Sequence, residues 1–355
     1  MQLDVAASRQ PRSGSPGPVG RAVSARGRGA AGVDLLVVGD VNPDIVVSDA
    51  DPRPVFGQAE REVGSIRLTV GGSSAIVACG AARLGLRVSL VGAVGDDALG
   101  RLMLEDIAAR GVDVSACRVV PGVATGATVI LAGGGDRAIL TASGALRELQ
   151  TGDVPSALLA RARHVHVGSF FLQPALAAGI PALFRAARAG GATTSVDPNF
   201  DPSGSWDGGF AAAAAAADVL LPNAAEAMAL AREDDPARAA GRLAAEAGAR
   251  TVVVKLGAGG GLGIAEGGVV VRVAAPRMDP VDTIGAGDAF DAGFLAAWLD
   301  AQPLESCLRL AVACGALSTR AIGGVDGQPT RDEAEALAAS GDARSARGDA
   351  TTSPG

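Results

Sequence analysis

VDTIGAGDAFDAGFLAAWL, residues Val281–Leu299, joins a glycine-rich turn to a helical pattern, and its reading governs the rest of the chain. From Asp288 onward Phe290, Gly293, Phe294 and Ala297 share one helical face, so the helix is expected to pack against a core. The mouth of the helix is different. Gly285, Ala286 and Gly287 offer three unhindered N–H groups at the positive end of the helix dipole, an arrangement that receives anions. Asp288 lies beside them and Asp282 precedes it by six residues. Taken alone, Asp288 is explained as well by an acid that satisfies orphan donors at a helix start, and short glycine motifs match many unrelated turns.

Outward from that segment, short β-branched runs alternate with alanine-rich helical stretches. The runs at 34–41, 87–95, 164–171, 193–199, 218–223 and 251–257 are nearly all apolar, as strands are when helices cover both faces. The fold class is therefore α/β: a doubly wound, mainly parallel sheet flanked by helices. Two regions break the rhythm. Residues 44–70 and 117–142 read as strands and hairpins without an intervening helix, with Gly133–Asp136 as one turn, and so predict a small β-strand lid inserted in the domain.

Bulk properties narrow the partners. A chain of 355 residues, 48% hydrophobic and with net charge −7, can bury a large core. Its only lysine is Lys255, and no basic stripe of the kind that tracks a nucleic-acid backbone exists, so no nucleic-acid role is expected. Cys79, Cys117, Cys307 and Cys314 form no C-x-x-C pair, which excludes the usual zinc and disulfide frameworks and fits a reducing cytoplasm. No apolar run is long enough to span a membrane. Residues 1–32 lack the apolar core of a secretory signal and read as a disordered leader, or as translation from an early start codon; residues 341–355 read as a disordered tail, leaving a domain at 33–340.

Other phosphate-binding motifs fail. Lys255 is followed by Leu256 and precedes its glycines, so there is no P-loop. GAGGGLG (Gly257–Gly263) follows a strand but leads into a hairpin pattern, against a dinucleotide fingerprint. An earlier stretch, GGSSAIVACGAARLGLRVSLVGAVGDDALGR (Gly71–Arg101), can be explained by structure alone: Ser73 or Ser74 as N-cap, an apolar face, and Gly85 as the stop.

The two glycine-rich stretches together resemble the paired signatures of the ribokinase/PfkB family of carbohydrate kinases, in the right order. GDVNPDI near the start, DPN at 197–199, PNAAEA at 222–227 and KLGAGG at 255–260 match intermediate pieces, so the resemblance spans about residues 33–335. It implies a ribokinase-like fold and an ATP- and Mg²⁺-dependent kinase that transfers the γ-phosphoryl group to a sugar hydroxymethyl. Asp288 would be the base, and the 285–287 backbone the anion hole. Asn223 and Glu226 match an N-x-x-E element that helps organise Mg²⁺ and phosphate, while Asn223, Lys255, Gly257 and Gly260 would lie along ATP. Asp282 corresponds to a position where some members bind a monovalent cation such as K⁺.

On the acceptor side the resemblance points to Asn42, Asp44, Gly71 and Gly72; an acid suits a polyol because a carboxylate accepts from two hydroxyls. Ser169 follows the strand of His164 and His166 at the end where open α/β sheets bind ligands. Two histidines alone make a poor metal site, and a core or pocket-edge role is expected. One departure stands out: Ile76 occupies a position that is Asn in many sugar kinases of the family. A nucleoside kinase on the same scaffold, or a nucleotide- or sugar-binding protein without catalysis, are therefore the alternatives. Exposed strand edges of the lid also suggest a homodimer.

Overall fold

A computed structural model describes residues 32–133, 136–247 and 250–348; nearly all of the expected leader lies outside them. The strands are β1 (Val33–Val38), β2 (Asn42–Ser48), β3 (Ser65–Gly71), β4 (Val88–Val91), β5 (Ala93–Gly95), β6 (Arg118–Val120), β7 (Ala127–Gly133), β8 (Asp136–Ala142), β9 (Ala162–Val167), β10 (Thr193–Val196), β11 (Val219–Leu220), β12 (Thr251–Lys255), β13 (Gly261–Ala265) and β14 (Val269–Val273). Eight of them form the main sheet in the order β14-β13-β12-β11-β10-β9-β1-β4. From β12 to β4 every pairing is parallel, and β13 and β14 close one edge as the antiparallel hairpin read from the sequence.

The alternation of side chains along β1 explains why its sequence is continuously apolar. Leu35 and Val37 enter one core with Phe290 and Phe294, whereas Leu36 and Val38 enter another with Phe184 and Phe210. Helices Ser73–Arg83, Ala286–Leu299 and Leu304–Ser318 supply the first core. The last helix, Arg331–Gly348, runs on into the segment whose composition suggests a tail. No helix among the described residues is long and apolar enough to cross a membrane.

A separate four-stranded sheet, β3-β2-β7-β8, corresponds to the expected lid, with boundaries that differ in one respect. Residues 118–120 leave the lid: β6 pairs in parallel with β5, and Arg118 N–H donates to the Gly92 carbonyl at 2.8 Å. The hairpin does close between Gly133 and Asp136, which are paired; the two turn residues between them lie outside the described residues. One face of the lid, carrying Val46 and Ile130, packs on Ile284 of the Val281–Leu299 segment. That contact brings the lid over the carboxyl ends of the parallel strands.

Candidate active site

The polar residues of the site follow the carboxyl ends of parallel strands: Asp40 after β1, Ser169 after β9, Asp197 after β10, Asn223 after β11, and Lys255 at the end of β12. This is where an open α/β sheet leaves strand ends and helix starts facing a crevice. A cavity of about 800 Å³ opens there, lined by Asn223, Glu226, Lys255, Gly257, Gly260 and Gly285–Asp288 among others.

Gly285 makes the sharp entry into the helix Ala286–Leu299 with φ 71°, and a Cβ there would lie 2.5 Å from the Gly324 backbone. This turn alters the expected set of free donors. Ala286 N–H is bonded to the Thr283 carbonyl at 3.3 Å, because the left-handed residue folds that carbonyl back over it. The N–H groups of Gly285 and Gly287 have no partner among the described residues and remain aimed as donors.

Asp288 is half-buried beside them, and Ser73 Oγ donates to its Oδ1 at 2.5 Å. Burial pushes the Asp288 carboxyl up to about 7, aided by the negative charges of Asp197 and Asp40 and opposed by the Ser73 hydrogen bond and Lys255. Ser73 therefore acts on the acid and is not the N-cap that the sequence suggests. The cap position is Gly72, and Asp40 accepts from Ser73 N and Ser74 N at 2.9 Å each, so a carboxylate from another strand satisfies the helix start.

Beneath the glycines lies a buried charge cluster. Lys255 Nζ donates to Asp197 Oδ2 at 2.7 Å and to Asp291 Oδ2 at 3.0 Å, and all three side chains are enclosed. Burial opposes the ammonium charge, yet Asp197, Asp291 and Glu226 together hold Lys255 protonated above its ordinary range. Burial would raise Asp197, but the Lys255 charge together with the hydrogen bonds of Lys255, Asp291 and the Asn199 N–H outweighs it and holds the carboxyl below the usual value; Asp291, wholly enclosed, is pushed well above. The cluster is thus a Lys255–Asp197 ion pair with Asp291, which burial pushes toward its neutral form, also accepting from Lys255. Lys255 also underlies the glycine turn: a Cβ on Gly287 would sit 3.9 Å from its Nζ.

Asn223 and Glu226 form a reciprocal helix cap: Glu226 N–H donates to Asn223 Oδ1 at 3.0 Å, and Asn223 N–H donates to Glu226 Oε2 at 2.8 Å. Glu226 is buried, not a surface acid, and burial with the nearby Asp197 raises its carboxyl to about 7. Gly257 and Gly260 both border the cavity. Asp282 spends its two oxygens on the N–H groups of Ile284 (3.0 Å) and Gly323 (2.9 Å), so it clasps the loop before the helix to the one at 323.

On the lid, Asn42 Nδ2 reaches Asp44 Oδ1 and Thr128 Oγ1, both at 3.2 Å, and Thr128 Oγ1 lies 3.2 Å from Thr141 Oγ1. Gly71 permits this arrangement, since a Cβ would come within 2.0 Å of Asp44 Oδ1. A Cβ on Gly72 would lie 2.7 Å from the Asp40 carbonyl oxygen. Burial, with Asp40 and Asp288 nearby, raises the Asp44 carboxyl to about 7. Ser169 differs from its expected role. It is fully buried, donates to Asp40 Oδ2 at 2.8 Å and accepts from Asn199 Nδ2 at 2.9 Å, so it braces the cap carboxylate instead of facing a ligand.

Ile76 is buried against Gly324, where a Cβ would meet its Cδ1 at 2.5 Å. His164 and His166 are core residues joined through Ser195 Oγ at 2.7 and 2.8 Å, and burial lowers both, His166 to about 4, so they are neutral at pH 7. Burial pushes all four thiols up to about 12, which makes them unreactive at neutral pH. Asp40, Ser73, Asp197 and Asp291 are the site residues that sequence reasoning missed. The signal for Asp197 was its place in DPN at a strand end; nothing in the spacing linked Asp40 to Ser73.

Comparison with known proteins bears on the whole arrangement. Residues 33–331 match the pfkB family carbohydrate kinase description. The chain is 34% identical over 308 residues to an ATP-dependent ribose-1-phosphate kinase of Halopiger xanaduensis, covering 86% of this chain and 97% of that one. It is 32% identical over 295 residues to a 2-dehydro-3-deoxygluconokinase of Bacillus subtilis, covering 77% and 87%. Among solved structures, a putative ribokinase II of E. coli in complex with ATP and Mg²⁺ superposes with TM-score 0.74 at 25% identity, covering 86% of this chain and 98% of that one. The fold is ribokinase-like, and the chain belongs to the pfkB family of carbohydrate kinases.

Proposed function

We propose that this carbohydrate kinase transfers the γ-phosphoryl group of ATP to a hydroxymethyl group of its sugar, with Asp288 as the base that takes the hydroxyl proton. The observation that carries the reading is the placement of Asp288, its carboxyl raised toward neutrality, beside the free N–H groups of Gly285 and Gly287 at the cavity. A base near neutrality can accept a proton at the working pH and release it afterwards. The two N–H groups and the Lys255 charge behind them favour negative charge on the transferring group, which suits a reaction governed by positioning and electrostatics.

ATP fits along Asn223, Gly257 and Gly260, which border the same cavity. Among the described residues no cluster of three metal-ligating side chains exists. Mg²⁺ is usually held by phosphates, waters and one or two carboxylates, and here Glu226 would be the carboxylate. Mg²⁺ would supply neutralisation of the phosphate charge. A monovalent cation would lie against the Asp282 clasp, balancing a carboxylate that otherwise meets only backbone N–H groups. The Asn42–Asp44–Thr128–Thr141 series presents an acid, an amide and hydroxyls, which matches a polyol. Ile76 closes against Gly324 instead of opening an apolar slot, so the nucleoside reading gains no support. A reducing cytoplasm suits the four free thiols.

The test is ADP release with Mg-ATP against pentoses, hexoses, sugar acids, sugar phosphates and nucleosides, each in K⁺ and in Na⁺. Turnover of one sugar class, faster in K⁺, is expected. Bound ATP with no acceptor turned over would sink the reading, and equal rates in the two salts would remove the cation.

A second copy, as the lid edges suggest, would sit on the lid's outer face. Leu68, Ile45, Val129 and Leu140 lie in one lateral row across β3, β2, β7 and β8, on the face opposite Val46 and Ile130. Leu68 and Leu140 are 48% and 62% exposed, and such a row of uncovered aliphatic groups calls for a partner. Sedimentation equilibrium is expected to give a dimer that becomes a monomer in the Leu68→Asp/Leu140→Asp variant. A monomeric parent protein would end the proposal.

A further inference from the structure

The lid carries a cation that phosphoryl transfer as described does not use. Arg137, on β8, pairs with Ala132, which packs with the inward-facing Val46, Ile130 and Ile284. Period-two alternation therefore sends Arg137, Ile139 and Thr141 toward the site and Ala138 and Leu140 outward. Arg137 lines the same cavity as Gly285, Gly287 and Asp288, and its Nη1 lies 3.5 Å from Thr283 Oγ1.

The charge balance there is uneven. Lys255, a second cation near Asp288, is already paired with Asp197 and held by Asp291. Arg137 makes no ion pair among the described residues, although its field reaches Asp44 and partly opposes the effects that raise that carboxyl. A guanidinium at the rim of an enclosed site, with planar donors and no carboxylate to meet them, is suited to an anionic ligand group. Its position on the chain says which ligand. Arg137 springs from the strand that also bears Thr141, at the end of the hydrogen-bonded series from Asp44 through Asn42 and Thr128. The cavity's Asn223, Gly257 and Gly260 come from loops after β11 and β12 of the other sheet.

We propose that Arg137 reads a carboxylate or phosphate on the acceptor, so that the substrate is an anionic sugar, either a sugar acid or a sugar phosphate, and not a neutral one. This rests on the kinase reading above and narrows it. The hydroxyl-binding series holds the polyol part, Asp288 meets the hydroxyl that reacts, and the guanidinium closes over the charged end when the lid is down. Binding of such an acceptor weakens as salt rises, because an exposed charge pair is screened.

The experiment compares 2-dehydro-3-deoxygluconate, ribose 1-phosphate and neutral ribose as acceptors of the full chain and of Arg137→Gln and Arg137→Lys variants. One anionic acceptor is expected to exceed ribose in kcat/KM by roughly 100-fold, and which of the two does so separates carboxylate from phosphate. Arg137→Gln should raise KM for that acceptor by about 10- to 100-fold while KM for ATP moves less than about threefold, and Arg137→Lys should restore part of the loss. Preference for ribose overturns the inference, as does a KM change that falls on ATP. A separate readout guards against failure of the kinase reading itself. Calorimetric titration of an Asp288→Asn protein, with and without Arg137→Gln, measures acceptor binding without turnover, and equal affinity for neutral and anionic acceptors also overturns it.

Discussion

Asp288→Asn is expected to lower kcat by about 10²- to 10⁴-fold, the usual contribution of a positioned general base, while ATP affinity stays within a few-fold. Asparagine keeps the size of the side chain and can still meet Ser73 Oγ, so the geometry that aims the Gly285 and Gly287 N–H groups survives. What is lost is a group able to take the proton. In the parent protein kcat/KM should rise with pH through about 7 and level off above, because Asp288 must be ionised to accept a proton and its carboxyl is held near that value. The carboxyls of Asp44 and Glu226 lie in the same range, so the assignment needs a second lever. Ser73→Ala removes a donor that stabilises the ionised form and should move the limb to higher pH. A limb that stays in place in Ser73→Ala, or full activity in a folded Asp288→Asn protein, would assign the proton to another group.

Lys255→Met is expected to cost about 3–5 kcal/mol of unfolding free energy, because it strands the buried Asp197 carboxylate without its partner. Asp291 suffers less, since burial already pushes its carboxyl toward the neutral form. Adding Asp197→Asn to Lys255→Met should recover part of the loss by removing the uncompensated charge. The sign with pH follows from Asp197, whose carboxyl lies below its ordinary value only while Lys255 is present. A depressed acid contributes stability above its unfolded pKa and loses it as pH falls through the folded one. The gap between parent and variant should thus be widest at neutral pH and close as pH falls below the carboxylate range. Urea denaturation across pH measures it; a loss under about 1 kcal/mol, independent of pH, would mean that the cluster behaves as an exposed pair.

The sequence by itself determined the α/β class, the strand runs, the lid as two β-rich interruptions, and the glycine turn that opens a helix with an acid at its start. These are local or periodic properties: an apolar run buried on both faces, a glycine turn opening a helix and a hairpin pattern are each written within about twenty neighbouring residues. Asp288, Gly285 and Gly287 were legible for that reason. The structure decided what depends on distance in space. Asp40 and Ser73 are 33 residues apart, and Ser73 and Asp288 are 215 apart, yet together they cap a helix and set the surroundings of the Asp288 carboxyl. Lys255 meets Asp197 and Asp291 only because β12, the end of β10 and the helix Ala286–Leu299 converge. Ser169 read as a ligand contact and is a brace, and Ala286 read as a free donor and is bonded within the turn. In each case a side chain's role is set by which partners the sheet brings within hydrogen-bond distance, and pairings between distant strands leave no periodic trace along the chain.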